Sequence, residues 1–101
     1  MTPFKELDPM LHSQLRLAIM SIMVSVDQAD FSYLREKTGA TAGNISTQIT
    51  KLKEGGYIEV KKSFRENYPQ TMCRITPLGR KKFTEYVAAL NDYLNPDKEV
   101  L

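Results

Sequence analysis

Apolar residues recur at helical spacing in three stretches of the chain and alternate with polar ones in two. The first stretch runs from Asp8-Pro9 to about Val26. Asp8 followed by proline reads as a cap with proline at the first helical position. The apolar residues behind it, among them Met10, Leu11, Leu15, Ile19, Met20 and Met23, cover more than one stripe. Both sides of this helix are therefore expected to be buried, one of them against another subunit. A central helix wrapped entirely by its own chain is the alternative. "DQADF" breaks the pattern and has room for a very short strand. "SYLREKTG" follows as a second helix, from Ser32 or Tyr33 to about Thr38, with Gly39 at the helix-ending position.

The second stretch is "TAGNISTQITKLKEGG", Thr41 to Gly56. Ile45, Ile49 and Leu52 recur at i, i+4 and i+7, Thr41 is placed to cap the helix, and Gly55-Gly56 ends it. The other positions hold Gly, Asn, Ser, Thr and Gln, which are middling to poor helix formers. An ordinary solvated face would carry Glu, Lys and Ala instead. Two short helices joined by a glycine-bearing turn make a helix-turn-helix candidate. Alternation takes over in "YIEVKKSF", Tyr57 to Phe64, where Ile58 and Val60 interleave with Glu59 and Lys61. "TMCRI" supplies a second strand with Thr71, Cys73 and Ile75 on one face. "RENYPQ" between them predicts a hairpin loop of roughly six residues. Thr76-Pro77 is another cap-plus-proline start. The third apolar stretch, Phe83, Tyr86, Val87, Leu90 and Leu94, carries the last helix to Asn95-Pro96.

The element order is helix, short strand, helix, helix, strand, loop, strand, helix. It predicts a mainly α fold with a small β-hairpin wing (α+β), a winged helix-turn-helix. The expected organisation is an arm over 1–7 that contacts a dimer partner, one domain over 8–94 with terminal dimerisation helices, and a frayed tail over 95–101. The motifs "GNISTQITKLKEGGYIEVKKSF" and "YPQTMCRITPLGRKKF" resemble the small bacterial and archaeal winged-helix regulators related to the MarR and ArsR groups. The resemblance covers roughly Leu7 to Leu94. It implies a cytoplasmic transcriptional regulator, a dimeric repressor, that binds double-stranded DNA. Many relatives carry histidine at the position of Gln48 and a basic residue at that of Gln70.

Charge points the same way. From Lys51 to Lys82 there are nine Lys/Arg against three Glu, net +6. The other 69 residues carry five Lys/Arg and nine Asp/Glu, net −4. Such asymmetry suggests a basic surface for a polyanion. In a helix-turn-helix the second helix enters the major groove with its N-terminal residues on base edges. At about 100° per residue, the face opposite Ile45, Ile49 and Leu52 centres on Gly43, Thr47, Thr50 and Glu54, flanked by Asn44, Ser46 and Lys51. Gly43, Asn44, Ser46, Thr47 and Thr50 are therefore the expected base readers: short hydroxyl and amide arms bond base edges, Thr methyls meet thymine methyls, and Gly43 permits close approach. Thr41, Gln48, Lys51, Lys61, Lys62, Arg65, Asn67, Tyr68 and Arg74 are expected on the DNA backbone. Glu54 and Glu66 are acidic departures from that surface. Arg80, Lys81 and Lys82 place positive charge in the first turn of the last helix, against its dipole, so either a nearby anion or a solvated first turn is expected.

Leftover apolar residues at the two ends predict a homodimer through Phe4, Leu7, Leu11, Met20, Tyr86, Leu90, Tyr93 and Leu94. Two-fold symmetry would set two recognition helices about 34 Å apart on a palindromic operator. His12 is the one histidine and Cys73 the one cysteine, so a His/Cys metal cluster, an internal disulfide and Cys-His catalysis are not expected. His12 reads as a packing or interface residue and Cys73 as a small core hydrophobe. No cofactor, membrane span or secretory leader is expected, and a small-molecule effector, if there is one, belongs at the dimer interface. The alternative function is a winged-helix protein-interaction module within a larger assembly.

Overall fold

In the computed structural model, which describes residues 4–96, the chain folds as α1 (Gln14–Val26), β1 (Gln28–Asp30), α2 (Phe31–Thr38), α3 (Ala42–Glu54), β2 (Ile58–Arg65), β3 (Tyr68–Ile75) and α4 (Pro77–Leu94). The strands form an antiparallel sheet in the order β1-β3-β2. Four helices with a hairpin wing is the architecture that the sequence predicts. Residues 97–101 of the expected frayed tail, and 1–3 of the expected arm, lie outside the described residues. No helix among the described residues is long and apolar enough to cross a membrane.

Local chemistry explains most of the boundaries. Asp30 caps α2 by accepting from the Tyr33 amide at 2.7 Å, Thr41 caps α3 through the Asn44 amide at 3.2 Å, and Thr76 caps α4 through the Gly79 amide at 2.9 Å. Gly39 ends α2 in the left-handed region, φ 71°, a conformation glycine adopts without strain. The core gathers Ile19, Met20 and Met23 of α1, Leu34 of α2, Ile45, Ile49 and Leu52 of α3, Ile58, Cys73 and Ile75 of the sheet, and Tyr86 of α4.

Three expectations fail, each because of a contact distant in sequence or a turn geometry. Asp8-Pro9 starts an isolated turn rather than α1. The Asp8 carboxylate accepts from the Met10 amide at 2.9 Å, its carbonyl accepts from the Leu11 and His12 amides, and the chain then breaks direction at Leu11 to Ser13 before α1 begins at Gln14. The same carboxylate is held by the Tyr57 hydroxyl, which donates to it. Leu11 is thereby turned into the core, fully buried. The hairpin loop shrinks from six residues to two. Arg65 pairs with Tyr68, and Glu66 and Asn67 both take positive φ, 52° and 69°, the tight turn that matches strand twist. Pro69 is accepted in β3 because β1 pairs only with Met72 to Arg74, so no ladder requires its missing N–H. Finally, the supposed dimer residues Leu11, Met20 and Tyr86 are 0%, 0% and 4% exposed within the single chain. They are core, and on α1 the chain itself buries Ile19, Met20 and Met23 while Leu15, Leu17, Ile22 and Val24 stay partly exposed.

Candidate nucleic-acid interface

Helix α3 is held by burial against its own propensity. Gly43, Asn44, Ser46, Thr47 and Thr50 together cost roughly 3 kcal/mol relative to alanine. Burying Ile45, Ile49 and Leu52 contributes roughly 2 kcal/mol each and outweighs that. All five polar positions are exposed, as are Thr41 and Lys51. The Thr47 hydroxyl donates to the Gly43 carbonyl at 3.0 Å and the Thr50 hydroxyl to the Ser46 carbonyl at 2.9 Å. With their protons committed to the helix, these hydroxyls present lone pairs and methyl groups outward. Gly43 has neither positive φ nor any atom within 4 Å of where a Cβ would stand. Among the described residues nothing requires a glycine there.

Gln48 does not join the free face. It is half-buried, its Oε1 accepts from Arg16 Nη1 at 2.6 Å, and its Nε2 donates to Asn44 Oδ1 at 3.2 Å. Arg16 also donates from Nε to the Met10 carbonyl at 2.6 Å and from Nη2 to the Pro9 carbonyl at 3.4 Å. In the sequence Arg16 shows only as an interruption of an apolar run. Its partner Gln48 stands 32 residues away. Gln70 is committed as well: its Nε2 donates to Asp30 Oδ2 at 3.1 Å and ties the hairpin to the cap of α2.

The hairpin carries Lys61, Lys62, Arg65, Asn67 and Tyr68 exposed on or beside its tip. Alternation places Lys62 and Phe64 on the face that continues Ile58 and Val60, toward the helices, and Lys61 and Arg65 on the other. Phe64 is 77% exposed at the tip, an apolar residue that the basic pattern obscured. Arg74 does not belong with this group. It pairs with Gln28 and Glu59, far down the hairpin, and lies 3.9 Å from Asp27. Arg80 reaches the same carboxylate at 2.7 Å, so the anion near the start of α4 is the chain's own Asp27 at the end of α1. Lys82 lies 3.8 Å from Glu85, one turn along α4.

At the opposite end, Phe4 stacks on Tyr93 with ring centroids 4.8 Å apart, and the Tyr93 hydroxyl donates to the Lys5 carbonyl at 2.7 Å. Leu7 and Leu90 pack partly against the core. Phe4, Val87, Tyr93 and Leu94 keep substantial exposed surface. His12 Nδ1 lies 3.1 Å from the Tyr86 hydroxyl, a packing role. Cys73 is fully enclosed, and burial, helped by the Asp30 charge, pushes its thiol up to about 11. Burial first, then the bond to Asp8, holds the Tyr57 hydroxyl far above its ordinary value. Among the described residues, no group of three or more His, Cys, Asp and Glu is placed to hold a metal ion.

The model of the winged helix DNA-binding domain matches residues 15–94. An uncharacterised protein of Methanocaldococcus jannaschii is 34% identical over 76 residues, covering 75% of this chain and 83% of that one. The structure of a transcriptional regulator homologue from Pyrococcus horikoshii superposes with a TM-score of 0.82 at 24% identity, covering 88% of each chain. A MarR family transcriptional regulator from Silicibacter pomeroyi gives a TM-score of 0.65 at 18% identity, over 80% of this chain and 54% of that one. At these identities the two solved structures establish a shared fold.

Proposed function

The chain belongs to the family of winged helix DNA-binding domains, and from that premise we propose that it is a sequence-specific, double-stranded DNA-binding transcriptional regulator. It acts as a homodimeric repressor on a palindromic operator, by occupancy rather than catalysis. The observation that carries this reading is the outward face of α3. Gly43, Asn44, Ser46, Thr47 and Thr50 are all exposed and all small, on a helix whose propensity they weaken. α3 enters the major groove and presents these groups to base edges, while Lys51, Lys61, Lys62, Arg65, Asn67 and Tyr68 hold phosphates.

The exposed apolar surface of Phe4, Val87, Tyr93 and Leu94 supports a dimer formed through the N-terminal segment and α4. A groove of about 530 Å³ lined by Lys5, Leu7, Lys82, Glu85 and Tyr86 adjoins that surface. The bare Phe64 at the wing tip favours a second reading, a module that docks on a protein partner through the hairpin.

Titration of the purified protein against genomic fragments and palindromic duplexes at two salt concentrations separates the two. The DNA reading expects affinity to fall with salt at a slope of roughly 0.9 per phosphate contacted. Absence of salt-dependent binding to any duplex would sink it. Sedimentation of the free protein reports the dimer in the same samples.

A further inference from the structure

The chain of bonds from Arg16 through Gln48 to Asn44 has a direction. A guanidinium has only donors. Arg16 Nη1, 2.6 Å from Gln48, therefore requires the carbonyl oxygen of that amide to face it. The Gln48 amino group must then point the other way, where it meets Asn44 at 3.2 Å. An amino group is also donor-only, so the Asn44 carbonyl oxygen turns inward to accept it and the Asn44 amino group is left facing out. An asparagine side chain ordinarily has two near-isosteric orientations, with donor and acceptor exchanged. Here one fixed cation selects between them at two successive amides. Arg16 is itself anchored from the other side by the Met10 and Pro9 carbonyls, so it does not swing to follow the amides.

We propose that Arg16 is a specificity-positioning residue: through Gln48 it fixes Asn44 with its amino group outward, so that the start of α3 reads a keto base, guanine O6 or thymine O4, in preference to an amino base. This rests on the DNA-binding reading above. At the C6 or C4 substituent of the major-groove edge guanine and thymine present keto oxygens, whereas adenine and cytosine present amino groups; the N7 acceptor is common to both purines and does not separate them. An outward donor aimed at that substituent bonds the first pair. The two-point contact of asparagine with adenine needs an outward carbonyl oxygen as well, and that oxygen is engaged by Gln48. Arg16 itself touches no base in this arrangement. It acts on specificity through two side chains, at a position where sequence spacing alone gives no hint of contact.

Selection of bound sites from random duplexes, with wild type, Arg16→Met, Arg16→Lys and Gln48→Glu, tests the inference. Wild type is expected to show one position per half-site with a roughly tenfold preference for G or T, the size of one good base contact. Arg16→Met should flatten that position while leaving the others, and Arg16→Lys, also donor-only, should keep its sign. Gln48→Glu replaces the amino group with an acceptor, so Asn44 should rotate, donate inward and present its oxygen. The preference at the same position should then reverse toward A or C, even as the added charge lowers affinity for all sequences. Wild type that binds and selects, with that position unchanged in both Arg16→Met and Gln48→Glu, overturns the inference and leaves the DNA reading standing. Wild type that binds no duplex overturns both. In the free protein, slowed exchange of a Gln48 side-chain amide proton, lost in Arg16→Met, is the matching result; fast exchange in wild type contradicts the bond chain directly.

Discussion

Gly79 sits against the Tyr57 carbonyl so closely that a Cβ on it would lie 2.2 Å from that oxygen. The same carbonyl accepts from the Thr76 amide at 3.1 Å, and the Thr76 hydroxyl donates to the Gly56 carbonyl at 2.7 Å. The start of α4 is thus clamped on the turn that joins α3 to β2, backbone against backbone. Gly79→Ala forces these segments apart because the two nearest atoms are Tyr57 backbone, which cannot yield as the end of a side chain can. The expected loss is about 2–3 kcal/mol, read as a fall in thermal midpoint of roughly 10 °C or more for a domain of this size. A midpoint within about 2 °C of wild type would mean that the clamp is loose.

Gly43 is the opposite case. Its Cβ position is open, so Gly43→Ala should stabilise the fold by about 0.5–1 kcal/mol through helix propensity alone. If α3 approaches the DNA backbone at this point, the same methyl group should weaken binding. The two effects of opposite sign, measured by denaturation and by titration with operator DNA, distinguish a glycine kept for a partner from one kept for the fold. Tighter binding by the alanine variant would exclude close approach there.

Thr47 and Arg65 are assigned different work and should fail differently. Thr47→Ala removes an outward lone pair and methyl without unfolding a helix in which alanine is favoured, so it should relax preference at one base. Arg65→Ala or Lys62→Ala should weaken all sequences alike and lower the salt slope by about 1 each. Identical profiles for the two classes of variant would show that the docking is wrong.

Cys73 provides a pH signature. Its ordinary value near 9 is pushed up to about 11 in the folded chain, chiefly by burial. Below about 9 both folded and unfolded chains hold the proton, and the full stability is present. As pH rises the unfolded thiol ionises first, and stability is lost until the folded thiol follows near 11. A rise of that size corresponds to about 2–3 kcal/mol. Cys73→Ala should start less stable, because of the small cavity it leaves, and decline less steeply through that interval. The Tyr57 hydroxyl contributes in the same direction, but equally in both proteins, so the difference isolates the thiol. Parallel curves would show that Cys73 is not shielded as its burial implies.

The caps, the helix periods and the strand alternation were legible in the sequence because each is decided within about four residues. Thr41 caps α3, Thr76 caps α4 and Gly39 ends α2 by bonds to near neighbours, and the sequence predicts all three. Ile45, Ile49 and Leu52 identify the inner face of α3 by spacing alone, and with it the outer one. The sequence by itself thus determined the element order and the winged architecture. Tertiary structure decided which of those residues were free to act. Asp8 looked like a helix start until Tyr57, 49 residues on, claimed its carboxylate. Leu11, Met20 and Tyr86 looked like surplus apolar surface until the other elements closed over them. Gln48 and Asn44 carry the same amide whichever way it faces. Only the approach of Arg16 from another helix, with donors alone to offer, settles which atom each presents.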